Sequence, residues 1–134
     1  MNRNRFIENV RKDLGIKDTE YAELATGAVL KTLHDRLTEG QAHNIETHLP
    51  KELKPLWSKG LSERLISLAR GPQRMNKSEF LRKVQTRSYA ADSRKSEDLT
   101  QSVFKALKKQ LPGKAVENVG SQLPKDLKSL WTDS

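Results

Sequence analysis

The chain has 134 residues, 25 of them Lys or Arg and 17 Asp or Glu, and no cysteine, for a formal net charge of +8. This excludes disulfides, thiolate metal sites and a cysteine nucleophile. The longest unbroken apolar runs are three residues, such as Ala28-Val29-Leu30, against about 20 needed to span a bilayer. Apolar residues are only 34%, but their regular spacing predicts a folded core rather than disorder.

The first helix is predicted over residues 3–14. Phe6, Ile7, Val10 and Leu14 share one face, and Gly15 is the stop. The second and longest runs from about Thr19 to Leu37, capped by Asp18, with a stripe of Ala22, Ala25, Val29, Leu33 and Leu37. Thr38 and Gln41 have capping-box spacing before a third helix, with Ala42, Ile45 and Leu49 on its apolar face. Pro50 then opens a short fourth helix. Leu61, Leu65, Ile66, Leu68 and Ala69 predict a short linker helix, stopped by Gly71-Pro72 and packed against both flanking regions. Asn76 and Glu79 repeat the capping-box spacing, Asp92 precedes the stripe Leu99, Val103, Leu107 and Leu111, and Pro124 opens the last helix. No segment shows sustained strand alternation.

The chain is written twice. Shifted so that Phe6 falls on Phe80, Val10 on Val84 and Asp18 on Asp92, it lies over itself without a gap, with 17 identities in 52 positions between 6–57 and 80–131. This predicts an all-α protein of two duplicated four-helix units, 1–60 and 76–134. The linker 61–75 joins them, and the two pack into one compact bundle because one unit alone is near the lower size limit for a fold. A pseudo-two-fold axis and self-association between chains are further expectations. Ser88-Tyr89-Ala90 replaces Leu14-Gly15-Ile16, which predicts a reshaped loop in the second unit.

The helix beginning Phe6-Ile7-Glu8-Asn9-Val10, the long Ala25–Leu37 stretch and the ending Leu49-Pro50-Lys51-Glu52-Leu53-Lys54-Pro55-Leu56-Trp57 resemble a bacterial family, domain of unknown function 2267. The ending recurs as Leu123-Pro124-Lys125-Asp126-Leu127-Lys128-Ser129-Leu130-Trp131. The resemblance implies a small, helical, often duplicated protein, and brings no activity, cofactor or catalytic residue with it.

Little chemistry is legible. His34, His43 and His48 are not repeated by the second unit, and 43 and 48 are badly spaced for one helix face, so solvated or capping histidines are expected and no metal. No glycine-rich phosphate loop occurs, no cofactor is implied, and enzymatic activity is not expected. The ending is the tightest repeat, with 7 of 9 residues shared against 10 of 43 before it. Core packing explains Leu53, Leu56 and Trp57, but not the lysines. Lys51, Lys54, Lys125 and Lys128, with Trp57 and Trp131 as anchors, are therefore the expected binding surface for a protein partner with an acidic surface. Stems that merely cover apolar surface are the plainer explanation.

Charge is uneven: residues 61–134 carry 15 basic and 8 acidic groups. Arg82, Lys83, Arg87, Arg94, Lys95, Lys105, Lys108 and Lys109 thus form an alternative surface for nucleic acid, though aromatics for base stacking are few. A third reading is a small-ligand pocket between the units. With no apolar leader behind Arg3 and Arg5, the expected location is cytoplasmic.

Overall fold

A computed structural model describes residues 2–58, 65–66 and 69–134. All regular structure among them is helical, with eight bounded α-helices and one 3-10 turn. α1 (Arg3–Leu14) starts at Asn2, whose side chain accepts the Arg5 N–H at 2.9 Å. Such a cap satisfies one of the amides a helix start leaves open. It ends at Gly15 with φ 68°, where the Ile16 N–H reaches back to the Arg11 carbonyl at 3.0 Å. α2 (Thr19–Arg36) is capped by Asp18 on the Glu20 N–H, and α3 (Glu39–Thr47) by Thr38 on the Gln41 N–H.

In the second half, α5 (Lys77–Ser88) carries a full capping box: Asn76 accepts from Glu79 N–H at 2.9 Å and Glu79 accepts from Asn76 N–H at 3.2 Å. α6 (Ser93–Gln110) is capped by Asp92. α7 (Gly113–Gln122) and α8 (Lys125–Asp133) each follow a proline. The shift that carries Phe6 onto Phe80 also carries α1 onto α5 and α2 onto α6, boundary for boundary.

The ends of the halves differ for a local reason. Pro124 opens the regular helix α8, whereas after Pro50 the chain first makes a 3-10 turn, Lys51–Leu53, and only then α4 (Lys54–Trp57). Pro55 has no N–H to give the Lys51 carbonyl four residues back. The Lys54 N–H takes that carbonyl instead, which tightens the turn.

The expected reshaping after α5 is absent. Tyr89 adopts the left-handed conformation of Gly15, at φ 58°, and the Ala90 N–H reaches back to Gln85 as Ile16 does to Arg11. The closure is dictated by the helix end, not by the residue, so tyrosine accepts a conformation that glycine adopts freely.

One apolar core draws on all eight helices. α1 packs on α2 and α6, and α5 on α6 and α2. α2 also meets α6 and α4, while α6 meets α8, and α3 meets α7. Thus the first helix of each half packs on the long helix of both. This explains a departure from the expected narrow stripe: residues 25–30 of α2 are buried without a break. A helix with neighbours on several sides is apolar nearly all round. Leu61 and Leu68, from which the linker helix was read, lie outside the described residues. Leu65 and Ile66 are helical but 60% and 50% exposed, so these two do not pack as expected. The chain is held again at Gln73, whose N–H donates to the Asp35 carbonyl at 2.8 Å, and at buried Met75.

Candidate functional site

The repeated ending divides cleanly by exposure. Leu53, Trp57, Leu127, Leu130 and Trp131 are buried, and Leu56 is half-buried. Lys51, Lys54, Lys125 and Lys128 are all exposed. Burial therefore accounts for the leucines and tryptophans and leaves the lysines unexplained. It also removes the anchor: Trp57 and Trp131 have almost no surface to offer a partner, because each indole fills the core against its own half.

Each ending is fastened at both ends. Arg3 Nη1 donates to the Glu52 carbonyl at 2.8 Å, and at the matching place in the second half the Lys77 N–H donates to Asp126 Oδ2 at 3.1 Å. At the far end, His34 Nδ1 donates to the Trp57 carbonyl at 2.8 Å while its ring stacks on the indole at 4.6 Å. Lys108, at the matching position, donates from Nζ to the Trp131 and Ser134 carbonyls at 2.6 Å each and lies 5.8 Å from the Trp131 ring centre. Carbonyls at a helix C-terminus favour such donors, and cations above all. Burial pushes the Lys108 ammonium below its ordinary value, with Asp133 opposing. Burial likewise lowers Arg36, and Arg74 adds to it.

Gly120 lets this packing close tightly, since a Cβ there would lie 3.3 Å from Trp131 Cδ1 and 3.9 Å from Lys128 Cε. The end of the Lys128 stem thus passes close to Gly120. Trp131 Nε1 donates to the Val116 carbonyl at 2.9 Å, whereas the indole N–H of Trp57 has no hydrogen-bond partner among the described residues.

The structure splits the basic set of the second half. Arg87 bridges Thr32 Oγ1 at 2.9 Å and Asp35 Oδ2 at 2.8 Å, Lys105 pairs with Asp13 at 3.3 Å, Lys108 caps α8 and Lys83 donates to Gln73. Arg82, Arg94, Lys95 and Lys109 are exposed and make no ion pair among the described residues. Asp13 and Arg87 occupy matching positions with opposite charge, and each faces the opposite sign on the long helix of the other half.

Sequence reasoning did not find the Arg87–Asp35 crossover, since residues 52 positions apart gave no local signal. It treated His34 as one of three equivalent histidines. The structure separates them: His34 is buried, while His43 and His48 are exposed. His43 lies 3.9 Å from Glu46, and His48 Nδ1 donates to the Asn44 carbonyl. The detectable signal was that position 34 matches Lys108, another side chain able to donate to the closing carbonyl. No group of three or more His, Cys, Asp or Glu residues among those described could hold a metal ion. No helix among them is long and apolar enough to cross a membrane.

Several clefts open among the described residues, one of about 400 Å³ between Asp13, Asp98, Gln101 and Lys105. One of about 620 Å³ runs along α2 between Glu20, Glu23, Leu24, Lys31, Leu56 and Arg87. Another of about 280 Å³ lies where the α1–α2 and α5–α6 turns meet, between Leu14, Ile16, Tyr21, Ala90, Lys95 and Leu99.

A family model described as an uncharacterized conserved protein, DUF2267, matches residues 3–130. No curated protein matches the chain.

Proposed function

Since the chain belongs to this uncharacterized family, which carries no activity with it, we propose a non-catalytic helical module that binds a protein partner with an acidic surface. Its contact surface is Lys51 and Lys54 of the first half with Lys125 and Lys128 of the second. The observation that carries the reading is the split within the repeated ending. Its apolar residues are buried and so constrained by packing, yet the lysines recur at the same offset although all four are exposed. Two lysines three apart project from one side of a helix or turn, so each pair presents two ammonium groups together to an acidic surface.

The same reading takes the chain as a tandem duplicate, units 1–60 and 76–134 joined by 61–75, in a cytoplasmic setting. The shared offset of the helix boundaries supports it, as does the reciprocal packing of α1 on α6 and α5 on α2. The nucleic-acid alternative loses support, because four of its eight cations are held by internal contacts.

The test is charge reversal at the four lysines in the full chain, read by partner capture with and without nuclease. Loss of a nuclease-resistant protein partner, at unchanged helical content, is the expected result. Undiminished capture makes the lysines solubilising only. Capture that disappears with nuclease moves the function to nucleic acid, and its affinity then falls steeply with salt.

A further inference from the structure

We propose that the cleft between the α1–α2 and α5–α6 turns binds a small, net-neutral organic molecule with an apolar body and one polar group. The cleft measures about 280 Å³, just under the roughly 300 Å³ at which sites for drug-sized ligands begin. Its walls are Leu14, Ile16, Ala90, Ala91 and Leu99, and its polar edge is Tyr21, Lys95 and Asp98. An apolar wall with a few polar groups is the usual make-up of a small-molecule site. One ammonium and one carboxylate at the edge cancel. A net-charged ligand would leave one charge facing its like, so the edge favours a ligand without net charge.

The position of the cleft adds specificity. Ile16 and Ala90 hold matching positions of the two halves, as do Tyr21 and Lys95, so the repeat contributes to one cavity from both sides. The halves depart from each other here: Lys95 stands where the first half has Tyr21, and Asp98 where it has Leu24.

Tyr89 is an independent observation. It precedes Ala90 and Ala91 in the wall, holds φ 58° and is 81% exposed. A side chain in the left-handed region costs energy, and Tyr89 gains almost no burial to offset it. The helix-closing bonds to the Gln85 carbonyl hold this conformation, and strain held in this way collects at ligand sites. The larger cleft along α2 carries no comparable argument, because Glu23 is held by Arg3 and Asp35 by Arg87.

The experiment is an NMR titration of the intact protein with indole, which has an apolar body and a single N–H donor. The expected result is saturable shifts confined to Leu14, Ile16, Tyr21, Ala90 and Leu99, with Kd on the order of 1 mM or tighter. Ala91→Trp, at an exposed wall position, should weaken binding at least tenfold without lowering Tm. Ala90→Leu replaces it if Ala91→Trp melts earlier. Unsaturable or scattered shifts, or wild-type affinity in the wall variant, overturn the site. Indole-3-acetate or tryptamine binding more tightly than indole overturns the net-neutral ligand.

Discussion

His34 and Lys108, at matching positions of the repeat, donate to the carbonyls of the two tryptophans that close their halves, Trp57 at 2.8 Å and Trp131 at 2.6 Å. One does so as a buried ring stacked on its indole, the other as a half-buried ammonium. His34→Ala removes both the stack and the bond. It should cost about 2–4 kcal/mol in urea unfolding, and His34→Lys, which copies the second half, should cost less. A loss below about 1 kcal/mol for His34→Ala contradicts the fastening role.

Lys108 also gives stability a pH dependence. Its pKa in the folded protein lies below the ordinary 10.5, chiefly through burial. Between the two values the unfolded chain binds more protons, so this group's contribution rises with pH and is complete above 10.5. Wild type should therefore gain on Lys108→Met as pH climbs toward that limit, read as the difference between their urea midpoints. A flat difference, or one of opposite sign, refutes this.

The two charged crossovers should differ sharply in weight. Asp35 is 6% exposed and receives Arg87, whereas Lys105 and Asp13 are 52% and 40% exposed. Arg87 gives a charged hydrogen bond to a buried carboxylate, so Arg87→Ala should cost about 2 kcal/mol. Lys105→Ala should cost less than about 0.5 kcal/mol, as an exposed pair is screened. Equal losses contradict the distinction.

Tyr89→Gly should raise stability by about 1 kcal/mol, since glycine adopts φ 58° without the clash. Gly15→Ala should lower it by a similar amount at the matching position. Thermal unfolding of both measures this, and a destabilised Tyr89→Gly shows that the tyrosine makes a contact outweighing its strain.

The helices were legible because their signals are local. Asn76 with Glu79, Asp18 and Asp92, and the closing Gly15, all act within one turn of the chain. At Tyr89 residue identity points to a reshaped loop, while the return bond from Ala90 fixes the same shape as after Gly15. The width of the apolar surface on α2 was missed because it depends on how many helices surround it, which is a property of packing. The Arg87–Asp35 pair and the junction cleft form between distant segments, so neither has a local pattern. For the closing lysines, helical spacing already set them apart from the core-facing Trp57, and burial then removed both tryptophans as anchors for a partner.

The most direct test is nuclease-treated affinity capture by three forms of the full chain. These are wild type, Lys51, Lys54, Lys125 and Lys128 all changed to Glu, and a control with exposed Arg5, Lys12, Lys17 and Lys114 changed to Glu. Both variants lose the same charge, so they separate a surface from a net-charge effect. The account predicts that wild type and the control retain the same protein partner and that the closing-lysine variant does not. Retention by all three, or equal loss from both variants, contradicts it.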